Sequence, residues 1–190
     1  MTSVANALSV LGREALRIVL PSWCVACERN LPWRERTASC CASCWRALPR
    51  ITSAKCTSCA LPLMGSGHAL CIECMIEPLP LEWCDAWGEY RGPLVRLLLA
   101  LKFKRHDFLD DALAGLLEET LREHDDAFDA IVPVPMHRTK ERRRGYNQAE
   151  LLARALSRRT RIRCDPSLLV KRVERGTQST LSRRERAENV

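Results

Sequence analysis

The residues of this chain best suited to chemistry are eight cysteines in four C-x2-C pairs: Cys24/Cys27, Cys41/Cys44, Cys56/Cys59 and Cys71/Cys74. Each pair presents two thiolates across a tight turn, and two pairs complete the tetrahedral all-sulfur shell that zinc accepts. In sequence order the spacings are C-x2-C-x13-C-x2-C and C-x2-C-x11-C-x2-C, both close to the zinc-ribbon pattern. Two structural zinc ions are the expectation. With every position filled by sulfur, no site is left for a water nucleophile, so zinc catalysis is not expected. Spacing permits sequential or interleaved pairing of the knuckles, and sequential pairing needs less chain crossing. Cys40 lacks x2 spacing to Cys44 and is read as a spare packing thiol, and His68 as an exposed loop histidine.

The second concentration of chemistry is the stretch from Asp129 to Glu150. Ala130 to Pro135 is short, apolar and β-branched, which predicts a buried strand stopped by Pro133 and Pro135. His137, Arg138, Lys140, Arg142, Arg143 and Arg144 follow as a basic loop, then Gly145. From Asn147 the positions Ala149, Leu151, Leu152, Ala155 and Leu156 repeat at helical spacing. Strand, basic loop and helix start together offer guanidinium donors and free N–H groups to a phosphate or pyrophosphate. A solvated basic loop is the competing reading, because charge runs are commonly that. Lys102 and Lys104 close an earlier helix, where a ligand role and compensation of the helix dipole fit equally. A second strand at Leu168–Val170, if parallel to the first, would bring Arg172, Arg175, Gln178, Arg183 and Arg186 toward the basic loop.

The elements that must position these groups divide unevenly. Ten of the eleven cysteines lie between Cys24 and Cys84, so we place an amphipathic helix at 1–22, a double zinc ribbon at 23–83 and an α/β domain at 84–190. The ribbon has little apolar material beyond Trp23, Trp33, Trp45 and Leu48, so metal binding supplies most of its folding free energy, and chelation should unfold 24–84 and spare the rest. In the second part a strand over Trp83–Tyr90 precedes an apolar helix from Leu94 to Leu101. A second helix spans about Asp107–Glu123, and a final polar helix runs from Thr180 to Glu188. Arg13, Glu14 and Arg17 interrupt the first 20 residues, so neither a signal sequence nor a membrane span is expected there. The expected compartment is the cytoplasm, where thiols stay reduced and a dense cysteine pattern indicates metal rather than disulfides. Net charge is +2 over 1–84, −5 over 85–130 and +10 over 131–190, so the last third attracts phosphates of any origin.

These residues resemble the ComF family, phosphoribosyltransferase-like competence proteins related to the gluconate-associated GntX. The resemblance is carried by the knuckles, Tyr90-Arg91-Gly92-Pro93-Leu94, Leu101-Lys102-Phe103-Lys104, Val132-Pro133-Val134-Pro135, Arg144-Gly145-Tyr146-Asn147-Gln148, and Gln178 through Arg186 to Asn189-Val190. It implies a double zinc ribbon followed by a type I phosphoribosyltransferase (Rossmann-like) domain. It also implies a role in taking up single-stranded DNA during natural transformation, with a competence helicase as partner. His137 to Gly145 resembles the pyrophosphate loop, and Thr177 to Arg186 the region of the mobile active-site loop. The family's signature for phosphoribosyl pyrophosphate, an apolar strand ending in two acidic residues and then Thr-Thr-Gly, has no match in the 190 residues. The chain is therefore expected to be a truncated, C-terminally incomplete member, inactive as a transferase, with phosphoribosyl pyrophosphate a ligand of the complete form.

Three functions compete. The first is an accessory protein of DNA uptake that binds a phosphorylated small molecule or single-stranded DNA through Arg138, Arg142, Arg143, Arg144 and Gly145, with Lys102, Lys104, Gln178, Arg183 and Arg186 in support. The second is a phosphoribosyltransferase, and the third a zinc-stabilised adaptor whose ribbon docks a partner. Single-stranded DNA binding usually interleaves aromatics with cations, and after residue 130 the sequence offers one aromatic, Tyr146.

Overall fold

Each half of the cysteine module folds the chain in the same way. The computed structural model describes residues 23–31, 40–63, 69–104, 106–124, 128–173 and 185. The expectations for 1–22, His68, Arg175, Gln178, Arg183, Arg186 and the helix at 180–188 fall outside those residues or, at Glu185, on a single one. The first knuckle is closed by Cys24 N–H donating to Arg29 O and Glu28 N–H to Cys24 O, both at 2.8 Å. The Cys56/Cys59 knuckle repeats this with Cys56 N–H to Leu61 O and Ala60 N–H to Cys56 O, also at 2.8 Å. The chain turns at Glu28 (φ 60°) and Ala60 (φ 62°), each the residue after a knuckle's second cysteine. A single antiparallel bridge flanks each turn, Trp23 with Asn30 and Lys55 with Pro62. Each remaining pair opens a one-turn helix, α1 (Ala42–Arg46) after Cys41 and α2 (Ile72–Ile76) after Cys71.

The chain forms two compact units, Met1–Ala127 and Phe128–Val190. Cysteine content changes at Cys84, whereas compactness changes at Ala127, because the helices after Cys84 pack into the ribbon's unit. Helix α3 (Gly92–Phe103) begins with Pro93 in its first turn, where a missing N–H costs nothing, and buries Leu94, Leu97, Ala100 and Leu101. A 3-10 turn, Asp107–Leu109, contacts both α3 and α4 (Asp110–Leu121) and buries Leu109; α4 buries Leu113, Ala114 and Leu116. The predicted helix from Asp107 is thus a 3-10 turn running into an α-helix. The strand predicted over Trp83–Tyr90 reduces to one bridge, Gly88 with Arg50. A Cβ at Gly88 would lie 2.7 Å from Pro49 O, so any side chain there forces the backbone to shift.

Charged side chains stitch this unit together. Arg50 reaches Glu119 and Glu123 at 3.2 Å each, and Lys55 reaches Asp85 at 2.5 Å and Glu123 at 3.3 Å. Trp87 Nε1 donates to Glu119 at 2.8 Å, the Trp83 ring stacks on His124 at 3.8 Å, and Arg96 donates to Ala26 O beside the first knuckle.

In the second unit the predicted strand at 130–134 is represented by one parallel bridge, Ile131 with Cys164, made by Ile131 N–H to Arg163 O at 2.8 Å and Asp165 N–H to Ile131 O at 3.0 Å. Its partner is therefore the 163–165 segment. Leu168, Leu169 and Val170, predicted as the second strand, have no regular structure and are exposed. The basic loop is a helix, α5 (Arg138–Arg144), since Arg, Lys and Glu are good helix formers and His137 caps its start. Gly145, at φ 96°, ends it in the left-handed conformation that glycine adopts without strain. The predicted helix after Asn147 is α6 (Gln148–Thr160). Among the described residues the structure has helices and isolated bridges but no strand, so the expected double ribbon is supported and the α/β, Rossmann-like sheet expected for 84–190 is not.

Candidate functional site

The cysteine knuckles converge as two separate shells. The sulfurs of Cys24, Cys27, Cys41 and Cys44 all lie within 4.8 Å of one another, as do those of Cys56, Cys59, Cys71 and Cys74. This is sequential pairing. Backbone N–H groups point at the sulfurs, Cys41 N to Cys24 Sγ and Cys71 N to Cys56 Sγ, both at 3.3 Å. Such donors stabilise thiolates, the form that binds metal. The Ser43 hydroxyl and the Cys44 N–H bring the Cys41 thiol down to about 6. At Cys56 burial opposes ionisation, but the N–H groups of Cys71, Cys59 and Ser58 outweigh it and the thiol also falls to about 6. Four sulfurs at tetrahedral-shell spacing, already oriented by N–H donors, suit zinc. The second shell sits in its own small core with Leu63 and Leu70. Cys40 is buried 4.0 Å from Cys24 Sγ, and its burial and the thiolates around it push it up to about 12. It packs beside the shell, outside the four-sulfur group.

In the second unit the predicted phosphate residues separate. A cavity of about 400 Å3 is lined by Pro133, Met136, His137, Arg138, Lys171 and Arg172 among others, with Glu141 and Glu150 also on its wall. Arg138 is thus at the cavity, whereas Arg142, Arg143, Arg144 and Gly145 are not among its lining residues. The three arginines occupy the last turn of α5, where the helix dipole favours cations, and Arg144 donates to Gln148 Oε1 at 2.5 Å. Lys102 lies in the last turn of α3 and Lys104 at its C-cap, in the other unit.

Of the residues that build this cavity, Arg172 was expected near the basic loop, whereas Lys171 and Asn147 were not assigned. Lys171 and Arg172 follow an apolar run, and an adjacent basic pair there was the available signal. Asn147 is buried, donates to Val134 O at 3.0 Å and accepts from Ala149 N–H at 3.1 Å, so it both caps α6 and holds the segment before α5. Its signal was Asn147 with Glu150 three residues on, a capping pattern.

Two all-cysteine shells on duplicated knuckles define a double zinc ribbon protein, and a double zinc ribbon domain matches residues 15–75. The chain is 32% identical to DNA utilization protein YhgH of Escherichia coli (strain K12) over 178 residues, 91% of this chain and 77% of that one. It is 39% identical to Competence protein F of Haemophilus influenzae over 111 residues, 54% of this chain and 47% of the relative. Competence protein ComFC of Bacillus subtilis is 27% identical over 151 residues, 71% of this chain and 62% of the relative. The chain belongs to the ComF family. No solved structure matches it. The two four-cysteine groups and the ribbon match support structural zinc. No helix among the described residues is long and apolar enough to cross a membrane.

Proposed function

We propose that this chain is a cytoplasmic accessory protein of DNA uptake whose C-terminal unit holds a phosphate-bearing ligand. The observation that carries the reading is the cavity lined by His137, Arg138, Lys171 and Arg172. Three cations and the His137 imidazole, set against the carboxylates of Glu141 and Glu150, leave the cavity of about 400 Å3 net positive and suited to a phosphate or pyrophosphate group, and Pro133, Pro166 and Leu169 give it an apolar wall. Its relatives bear the names DNA utilization and competence protein, which supports the DNA-uptake setting. In this reading Arg142 and Arg143, exposed on α5, extend the positive field and attract single-stranded DNA or a nucleotide without fixing it.

The test titrates the zinc-loaded chain with pyrophosphate, with phosphoribosyl pyrophosphate and with a labelled oligothymidylate. Pyrophosphate should bind, and Arg138→Ala with Lys171→Ala should weaken it by about tenfold or more, the value of a charge-assisted contact or two. Oligothymidylate binding should fall steeply with salt and respond to neutralising Arg142, Arg143 and Arg144. Unchanged pyrophosphate affinity in the double variant would remove the cavity from the reading. Salt-independent DNA binding would remove the electrostatic surface.

A further inference from the structure

The internal repeat of the ribbon supplies its own control experiment. Helices α1 and α2 occupy equivalent positions, each opened by the third cysteine of its shell, with Trp45 N–H bonded to Cys41 O at 2.9 Å and Met75 N–H to Cys71 O at 3.0 Å. At the two outward positions the first repeat carries Ala42 and Arg46, both exposed. The second carries Ile72 and Ile76, which are 72% and 80% exposed. Folding of the module therefore does not require apolar side chains there, since the first repeat forms the same turn without them. Ile72, Met75 and Ile76 share one helix face by their i, i+3, i+4 spacing, and Met75 is also exposed.

We infer that this face of α2 is a docking surface for a basic, apolar segment of a partner protein. The partner's charge follows from the surroundings. Between Ala69 and Trp83 the chain has three acidic residues, Glu73, Glu77 and Glu82, all exposed, and no lysine or arginine. Glu77, at the end of α2, and Glu82 are exposed beside the apolar residues in sequence. Nucleic acid and anionic lipid are repelled by such a surface. A second copy of the chain meeting it across a two-fold axis would set like charges against each other, and three side chains fall well short of the roughly 800 Å2 per partner that a stable dimer buries. A short amphipathic segment with lysine or arginine along its edges satisfies both the apolar stripe and the acidic rim.

The probe is a dye-labelled helical peptide of lysine and leucine at amphipathic spacing, with a glutamate and leucine peptide as its opposite. Binding to the zinc-loaded full chain is followed by fluorescence anisotropy. One variant, Ile72→Ala with Ile76→Arg, installs the residues that the first repeat already accommodates. The other, Glu77→Lys with Glu82→Lys, leaves the isoleucines in place and decides the matter should the first lose zinc. We expect the lysine peptide to bind the native chain, each variant to weaken it by at least about tenfold, and the glutamate peptide not to bind. Equal affinity for both peptides, or native affinity in either variant, would overturn the inference. So would a native dimer that the isoleucine variant splits into monomers, because the face would then be a self-contact.

Discussion

Lys55 Nζ lies 2.5 Å from Asp85 Oδ1, a salt bridge that ties the residue before the Cys56/Cys59 knuckle to the segment leading into α3. The other Asp85 oxygen meets His124 Nε2 at 2.9 Å, just past the end of α4, and the Asp85 carboxylate is 7% exposed. Burial alone would raise the Asp85 pKa, but the hydrogen bonds from Lys55, His124 and Ala86 N–H hold it below the usual carboxylate range. Asp85→Asn should destabilise the zinc-loaded protein by about 1–3 kcal/mol, because it removes the buried carboxylate shared by Lys55 and His124 and leaves Lys55 only Glu123, at 3.3 Å. Chemical denaturation of the two proteins measures it; a loss below about 0.5 kcal/mol, the scale of an ordinary surface change, would mean the bridge contributes little.

Zinc removal should reach further than the cysteine distribution suggests. The ribbons and helices α3 and α4 belong to one compact unit, linked by Arg50, Lys55, Trp87 and Arg96. Chelation should therefore speed amide exchange in Gly92–Phe103 and Asp110–Leu121 as well as in the ribbon. Unaltered protection in those helices would show that they stand without the metal. Native protein should carry two zinc ions per chain by elemental analysis.

The turn that follows the parallel bridge should titrate in acid. Asp165 accepts from Ser167 Oγ at 2.6 Å and Ser167 N–H at 3.0 Å and pairs with Arg163; the Ser167 hydrogen bond, then Arg163, pulls its carboxyl down to about 2. A depressed folded-state value means that its stabilisation is present above the ordinary aspartate range near 3.8 and is lost as pH falls through about 2. Carboxyl chemical shifts followed by NMR should show that midpoint, and Asp165→Asn should abolish the transition. A midpoint close to 3.8 would show the turn open in solution.

Gly88→Ala should cost about 1–3 kcal/mol, since the added methyl meets the Pro49 carbonyl, which is backbone and cannot swing aside. Thermal denaturation at fixed zinc gives the value. A neutral outcome would mean that the bridge to Arg50 shifts at no cost.

How much of this was legible in the sequence depended on whether a local rule decided the outcome. The knuckles were readable because x2 spacing joins two sulfurs across one turn, whereas which knuckles pair is decided by the fold, which brings them together in sequence order. Helix α6 was readable because its apolar period and the Asn147 cap agree. The Arg138–Arg144 segment was misread as a loop because its charge drew attention from its helix propensity, between Pro135 and Gly145. Leu168–Val170 looked like a strand by composition, yet Ile131 pairs at Cys164, four residues earlier, and register across a chain reversal is not encoded locally. The cavity was only half visible for the same reason. Arg138 was singled out and Arg172 was expected near it, while Lys171, over thirty residues on from Arg138, is brought to the cavity by tertiary placement.

The two sulfur shells share one geometry but not one electrostatic setting. A four-thiolate zinc centre carries a formal charge of about −2, and a nearby cation makes its sulfurs poorer nucleophiles. In the first shell Arg29 Nη2 lies 3.9 Å from Cys41 Sγ and 2.9 Å from Ser43 Oγ. The residue in the matching place of the second shell, accepting the same hydrogen bond after the Cys56/Cys59 knuckle, is Leu61. The second shell therefore holds the more electron-rich sulfur, but it is also the more buried of the two, whereas the first exposes Cys27, so charge and access pull the reactivity of the two ribbons in opposite directions.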